Sequence, residues 1–326
     1  MAMDTLRDKF LGAILGCAVG DALGAPYEGA PPGSYRVPAG GVRFEKIRGY
    51  PLGQYTDDTM LTLATVRAIC RTHSVDGAEI AKEFVGLWET GEIVGAGAST
   101  TEAVYRMMHR GMRWDEAGTP EGRAGNGTAM RASPIGLWDH AHPEDIERDA
   151  RTASIITHKD SRSVAGAIAA ARAVQMCLAS EEFASEQFLG DIADSVRRTS
   201  ELFARSIEEL IDWVSLEPAE ALPLIYASGA PEVGPRRPGW VTAYVIPTVL
   251  SALYLFLRNR RNYVDTVTAA INAGGDTDTV AAIAGAISGA FNGLGAVPSA
   301  LVAQLKDSAE IISLVEQFYK AAASRG

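Results

Sequence analysis

The stretch GGDTDTVAAIAGAI, residues 274–287, joins an acidic, hydroxyl-rich start to a long run of small apolar residues. Apolar residues recur along that run at three- and four-residue spacing, which is typical of a buried helix. Its glycine and alanine content suits close packing against another helix. Gly274 and Gly275 permit a tight turn into the helix. The stretch therefore predicts a core helix whose first turn carries carboxylates and hydroxyls.

A second cluster of the same kind lies far upstream, in TDDTMLTLATV at residues 56–66. Helix capping alone is one explanation, since Asp and Thr are preferred at helix starts. Capping needs only one side chain, however, and each cluster has four. Crowded carboxylates repel one another, and burial raises their pKa values. A hard divalent cation such as Mg²⁺, Mn²⁺ or Ca²⁺ removes that conflict, so the paired clusters predict a metal site.

The composition limits the classes of function. Of the 326 residues, 47% are apolar and 21% are charged, and the net charge is −10. That charge disfavours a nucleic-acid surface built on bulk electrostatics. Cys17, Cys70 and Cys177 are scattered along apolar helical segments, which favours core residues in a reducing compartment over a disulfide framework.

One segment, Trp240 to Leu257, has eighteen residues without a charge and could be a buried helix or a membrane span. The buried helix is favoured, because a span usually needs about 20 apolar residues. The first residues lack the basic start of a secretory signal. We therefore expect a cytoplasmic monomer that does not associate with membranes.

Helical periodicity dominates the whole chain, and no window shows sustained strand alternation. We expect one all-α domain over residues 1–326, with small residues allowing close helix packing. The irregular segment 25–55 is long enough to suggest a functional lid. The predicted helices cover 5–24, 59–72, 77–89, 100–111, 143–156, 161–179, 186–213, 240–258, 263–272, 279–291 and 308–323.

Other segments carry weaker signals. The loop Gly125-Asn126-Gly127-Thr128 could be an anion cradle or a plain turn. Glu28 follows the first helix and could act as a general acid or base, whereas Asp21 could be a surface or capping residue. His158 could be a capping residue, and Ser99, in a flexible turn before a helix, could be a cap or line a pocket.

Taken together and in this order, five segments resemble the ADP-ribosylglycohydrolase family. They span residues 11 to about 295, nearly the whole chain. The matching segments are GCAVGDALG (16–24), YTDDT (55–59), GNG with AMR (125–127, 129–131), Thr157-His158 and GGDTDT (274–279).

The resemblance implies an orthogonal helical bundle with a binuclear metal site, usually of Mg²⁺ or Mn²⁺, in a central cleft. It also implies that Glu28 is catalytic and that Thr277 points away from the metals. The implied substrate-binding residues are Gly125, Asn126, Gly127, Thr128, His158 and Ser99. The implied metal ligands are Thr56, Asp57, Asp58, Asp276, Asp278 and Thr279.

The function expected from the resemblance is metal-dependent hydrolysis of the bond between ADP-ribose and an acceptor. The alternatives are a catalytically inactive ADP-ribose-binding or structural relative, and a two-metal phosphoesterase. The branch that acts on ADP-ribosyl-arginine often has an acidic residue where Gly95 stands here. Arginine, serine, nucleic-acid and small-molecule acceptors therefore all remain open.

Overall fold

The structure is a computed structural model that describes residues 3–47, 49–180, 182–229 and 239–325. Within these ranges it has sixteen α-helices, and strand-like pairing is limited to three isolated bridges between loops. The predicted all-α fold is confirmed. The helices are α1 (Met3–Gly24), α2 (Asp57–Thr72), α3 (Gly77–Glu89), α4 (Ala98–Arg110), α5 (Trp114–Ala117), α6 (Ser133–Trp138), α7 (Ile146–Ile155), α8 (Ser161–Ala179), α9 (Ser185–Val196), α10 (Glu201–Trp213), α11 (Pro218–Ala227), α12 (Val245–Asn259), α13 (Tyr263–Asn272), α14 (Thr277–Asn292), α15 (Ser299–Gln304) and α16 (Ser308–Ala323).

Helices α1 and α14 lie against each other in antiparallel orientation at the centre of the protein. Gly12 faces the C-terminal end of α14, whereas Gly24 faces its first turn. A Cβ atom added to Gly12, Gly16 or Gly20 would come within 3 Å of the α14 backbone. The two backbones therefore meet without intervening side chains. This contact positions the end of α1 against the first turn of α14.

A single continuous hydrophobic core surrounds this helix pair and includes residues from Phe10 to Ala322. Helix α13 joins the pair through Tyr263, whose hydroxyl donates a hydrogen bond to the Gly16 carbonyl at 2.7 Å. The expectation of one domain over residues 1–326 stays a prediction. Cys17 and Cys177 are buried, Cys70 is half-buried, and all three are free thiols.

Several predicted helix boundaries are wrong. The expected helix 186–213 is two helices, because the chain turns after Val196 and Ser200 caps the start of α10 by accepting from the Phe203 N–H at 3.3 Å. The helix expected from Trp240 begins at Val245, and Trp240 is 37% exposed. The sequence patterns also did not predict α5, α6 and α15, which have four to six residues and are too short to show apolar periodicity, or α11, which has Pro223 in its interior. The Gly- and Pro-rich stretch 227–239, whose composition predicts an irregular segment, lies mostly outside the described residues.

Among the described residues, one segment, Thr5–Tyr27, is long and apolar enough to cross a membrane by length and composition alone. In this fold 83% of its most apolar window is buried inside the protein, which is typical of a core helix. Helix α12 is shorter and is buried from Val245 to Leu257. The expectation that the protein does not associate with membranes stays a prediction.

The helix contact predicts a specific cost for adding a methyl group. Gly285→Ala should lower the free energy of unfolding by about 1–3 kcal/mol, because the new Cβ would overlap the Gly16 carbonyl and overpacking strains a dense core. Gly190→Ala in α9 is the matched control, since no atom lies within 4 Å of its added Cβ. That change should be neutral or stabilising by up to about 1 kcal/mol. Urea unfolding measures both, and equal stability of the two variants would contradict the close contact.

Candidate functional site

A cavity of about 500 Å³ lies where the first turns of α2, α4 and α14 converge. Its wall also includes the loop before α6, the residue His158 and the segment that leads into α12. The cavity therefore brings together segments that are far apart in the sequence. The lining residues are Glu28, Asp57, Asp58, Gly95, Gly97, Ala98, Ser99, Thr100, Arg123, Ala124, Gly125, Asn126, Gly127, Met130, His158, Thr242, Ala243, Tyr244, Asp276, Asp278 and Thr279.

Asp21, a fully buried residue of α1, holds the first acidic cluster in place. Its carboxylate accepts hydrogen bonds from the backbone N–H groups of Thr56 and Thr59, each at 3.0 Å. It also accepts from their hydroxyl groups, at 2.9 Å and 2.6 Å. Asp21 thus caps the start of α2 from another helix, so the option of a surface residue is wrong. Because Asp21 fixes this turn, Asp57 and Asp58 face the cavity.

The second cluster is held by the two glycines that precede it. Gly274 and Gly275 have φ values of +73° and +78°, a conformation that favours glycine. The Gly275 N–H donates to the Ala30 carbonyl at 2.8 Å, and the Asp276 N–H donates to the Val241 carbonyl at 3.1 Å. Asp276 consequently lies just outside α14 and Asp278 within its first turn, and both line the cavity.

The two acidic clusters meet directly. The Thr279 hydroxyl donates to Asp58 Oδ2 at 3.3 Å. Thr277 points away from the cavity, and its hydroxyl donates to the Gly24 carbonyl at 2.9 Å. Residues at the starts of α2 and α14 therefore form one site.

Burial and mutual repulsion raise the pKa values of the acidic side chains. Burial, followed by the charge of Asp21, raises the pKa of Asp57 to about 7. Burial and neighbouring carboxylates also raise the pKa values of Asp58 and Asp278 well above their ordinary value. Burial raises the pKa of Asp21 to about 6 despite its four donors. The surrounding protein thus disfavours the charged forms of these carboxyl groups, so they need a counter-ion to ionise fully at neutral pH.

One buried cation lies near this cluster, but it is engaged elsewhere. The Arg131 guanidinium donates to the carbonyls of Gly127 and Ala153, each at 3.1 Å, and to the Thr157 hydroxyl at 2.8 Å. Burial lowers the pKa of Arg131 to about 9, and only the charge of Asp57 opposes that shift. Arg131 therefore supports the cavity wall rather than pairing with the acids.

The acidic side chains fit a hard cation by their chemistry. Asp58 Oδ1 is buried and has no hydrogen-bond partner, and an unpartnered buried carboxylate oxygen is costly. Within the described ranges, no group of three or more His, Cys, Asp or Glu side chains is close enough to hold a metal ion as it stands. The donors are thus present around one cavity, and coordination would require them to move closer together.

The loop before α6 encloses His158. A Cβ atom on Gly125 would lie 2.8 Å from the His158 Nε2 atom, and one on Gly127 would lie 2.9 Å from Cε1. Glycine is therefore needed at both positions for the imidazole to fit. Asn126 joins this loop to the second acidic cluster, since its amide donates to Asp276 Oδ2 at 2.7 Å and to the Thr248 hydroxyl at 3.1 Å.

His158 is neutral at physiological pH, because burial and the charge of Arg131 lower its pKa to about 3. Its Nδ1 atom lies 2.9 Å from the Thr157 hydroxyl, which already accepts from Arg131. That hydroxyl is free to donate to Nδ1, which leaves the proton of the neutral ring on Nε2, at the cavity wall. His158 can thus offer one hydrogen bond to a ligand without acting as an acid or base.

The remaining sequence-predicted residues divide between the cavity and its supports. Glu28 lies at the cavity mouth, where partial desolvation and the charge of Asp276 raise its pKa. Ser99 lines the cavity from the first turn of α4, which has no side-chain cap. Thr56 and Thr128 do not line it, because their hydroxyls donate to Asp21 and to the Ser163 carbonyl. The structure adds lining residues that sequence reasoning missed, among them Arg123 and Tyr244.

Comparison with known proteins identifies the family of this chain. The family model described as ADP-ribosylglycohydrolase matches residues 2–326. The chain is 30% identical to ADP-ribosyl-[dinitrogen reductase] glycohydrolase of Rhodospirillum rubrum, covering 94% of this chain and 92% of that protein. It is also 30% identical to ADP-ribosylhydrolase ARH3 of Mus musculus, and that match covers 89% of this chain and 85% of the mouse protein.

A solved structure, titled "ADP-ribosylglycohydrolase-related protein complex", is similar over 98% of this chain and 99% of its own length. Its TM-score is 0.74 and its sequence is 28% identical. The match covers the acidic helix starts, the glycine loop and the helices that place them. This chain belongs to the ADP-ribosylglycohydrolase family.

Proposed function

We propose that this protein is a metal-dependent hydrolase that cleaves the glycosidic bond between ADP-ribose and an acceptor, releasing ADP-ribose. The observation that carries the proposal is the meeting of two acidic helix starts in one cavity, with their charge unneutralised, in a chain of this family. An inactive ADP-ribose binder would not need four carboxylates held against their mutual repulsion.

Two divalent cations, Mg²⁺ or Mn²⁺, fit the acidic side of the cavity. Asp57, Asp58, Asp276 and Asp278 would supply carboxylate oxygens, and Thr279 a hydroxyl oxygen. The Thr56 hydroxyl donates to Asp21 but lies 3.3 Å from Asp58 Oδ2, so its oxygen would join the same site after a small shift. When bound, such cations neutralise the carboxylates and polarise a ribose diol or a water molecule. The hydrogen bond from Asn126 to Asp276 would hold that carboxylate in position.

The wall formed by the start of α4 and the loop before α6 suits the diphosphate and the ribose next to it. Helix α4 begins at Ala98 without a side-chain cap, so its first N–H groups and its positive dipole end open into the cavity. Gly125 and Gly127 let a ligand approach the backbone closely, and His158 adds a neutral donor. Backbone and neutral groups can bind an anion although the whole protein is acidic.

Glu28 is the residue placed to move a proton. Glycosidic cleavage passes through an oxocarbenium-like state and needs a carboxyl group at the leaving atom. The raised pKa of Glu28 keeps more of it protonated near neutral pH, as donation to a leaving group requires. Its position at the cavity mouth would let it reach the acceptor side of the bond.

The acceptor class is tested by incubating the protein with arginine-, serine- and DNA-linked ADP-ribose, with and without Mg²⁺ or Mn²⁺. We expect metal-dependent release of free ADP-ribose from at least one conjugate. Gly95 lines the cavity beside Asp57, so no acidic side chain from that position can hold a guanidinium group. Binding of ADP-ribose without release from any conjugate would identify the inactive alternative.

Asp278→Asn should abolish hydrolysis, because it removes one carboxylate of the cation site. In metal-free protein the thermal midpoint should stay the same or rise, since a buried like charge is lost. Added Mg²⁺ should stabilise the wild type, because an ion that binds only the folded state favours folding, and it should stabilise the variant less. Asp212→Asn, at an exposed position of α10, is the matched control. Equal stabilisation of Asp278→Asn and wild type by Mg²⁺ would contradict the assigned site.

Glu28→Gln should lower turnover by about 10²- to 10⁴-fold, because the amide cannot donate the required proton. Calorimetric affinity for ADP-ribose should change little, since amide and carboxyl have nearly the same size. The protonated form is the active one, so wild-type turnover should fall as pH rises through the raised pKa of Glu28. The variant should lack that fall, and equal losses of turnover and affinity would make Glu28 a ligand or metal anchor instead.

A further inference from the structure

One exposed face of helix α4 continues from the mouth of the cavity. Ala98 lines both the cavity and an adjoining groove of about 700 Å³ that follows α4 to Arg110. Tyr105, midway along the groove, is 50% exposed, and its ring lies 5.4 Å from the ring of His109. We call Ala98, Tyr105, Arg106, His109 and Arg110 the α4 face. It combines an open aromatic surface with direct access to the site.

The α4 face is basic although the whole chain has a net charge of −10. The one carboxylate that lines the groove, Glu102, is paired with both Arg106 and Arg123. Arg110 lies exposed in the last turn of α4 and forms no ion pair with any described residue. The far end of the groove is therefore a cationic point in an otherwise acidic protein.

We propose that the α4 face binds the polypeptide that carries the ADP-ribose, and that Arg110 selects an acidic side chain on that polypeptide. This inference rests on the proposed hydrolase activity and specifies its acceptor as a protein segment. The peptide lies extended along α4, with the modified residue at the cavity mouth and Tyr105 contacting an apolar or aromatic side chain between the two ends.

The length of the groove sets the spacing. From Ala98 to Arg110 the helix axis advances by about 18 Å at 1.5 Å per residue. An extended peptide covers that distance in about five residues, at roughly 3.3 Å each. The preferred acid therefore lies about five positions from the ADP-ribosylated residue.

Charge and size favour a polypeptide over a nucleic acid. A nucleic acid presents a phosphate at every nucleotide, and its binding depends on several cationic contacts. The α4 face offers one unpaired arginine at its far end, because Arg106 is already held by Glu102 at 2.6 Å and by the Ala117 carbonyl at 3.0 Å. A single arginine beside an aromatic surface matches a single acidic side chain.

The test compares four peptides and one small conjugate that share one ADP-ribosyl linkage. The peptides form two pairs that differ only in Glu or Gln, placed five positions before or five positions after the modified residue. The small conjugate is the ADP-ribosylated free amino acid, which is too short to reach Arg110. Each is assayed with wild type, with Arg110→Glu and with Arg205→Glu, a control at an exposed arginine of α10 outside the groove.

For the wild type we expect kcat/KM to be about two- to fivefold higher for the Glu peptide than for the Gln peptide of at least one pair, the size expected of an exposed ion pair. The preference should weaken at high salt. Arg110→Glu should reverse it and leave hydrolysis of the free amino acid conjugate unchanged, and Arg205→Glu should behave as wild type.

Equal kcat/KM for the Glu and Gln peptides of both pairs, with normal hydrolysis of the free amino acid conjugate, would overturn the role of the α4 face and leave the proposed function intact. Faster, steeply salt-dependent hydrolysis of DNA-linked ADP-ribose that Arg110→Glu impairs would also overturn it, in favour of a nucleic-acid acceptor. Failure to hydrolyse any of the conjugates would instead reject the proposed function itself.

Discussion

The contact between α1 and α14 is the constraint on which the rest of the structure depends. Glycines on both helices remove the side chains that would otherwise separate the backbones. The end of α1 therefore meets the start of α14, and Thr277 ties them together through the Gly24 carbonyl. That junction places Glu28 next to Asp276 and Asp278. Wider packing would separate Glu28 from the acidic cluster.

The buried acidic side chains of the site differ in their hydrogen-bond partners. Asp21 accepts hydrogen bonds from four groups, the backbone N–H and the hydroxyl of both Thr56 and Thr59, and is part of the structural framework of the site. Asp58 keeps one buried oxygen without a partner. The framework is thus satisfied by the protein itself, whereas the cavity carboxylates remain available to a cation. Asp21 therefore builds the site, whereas Asp58 and the other carboxylates of the cavity would bind the cation.

Helix starts and loops, rather than helix sides, supply the chemistry of the cavity. The starts of α2 and α14 present carboxylates, and the uncapped start of α4 presents N–H groups. Two of the three isolated bridges hold the surrounding loops, pairing Gly125 with Tyr244 and Val241 with Gly275. Carboxylates that suit a cation and N–H groups that suit an anion therefore line the same small cavity.

The sequence by itself determined the helical class and the family, because apolar periodicity and short ordered motifs are local properties of the chain. It also identified both acidic clusters as helix starts, and the family resemblance implied that Thr277 points away. The break between α9 and α10 and the late start of α12 were missed, because apolar periodicity continues across a turn and uncharged residues also occur in loops.

Only the tertiary structure decided which residues share the cavity. It showed that Asp21, whose role the sequence left open, caps the start of α2. It also showed that Thr128 does not line the cavity, whereas Arg123 and Tyr244 do. It also brought Arg131 near Asp57 and enclosed His158 between two glycines, which fixes the charge of the imidazole. Burial and distance depend on how distant segments pack, and no single local pattern in the sequence carries that information.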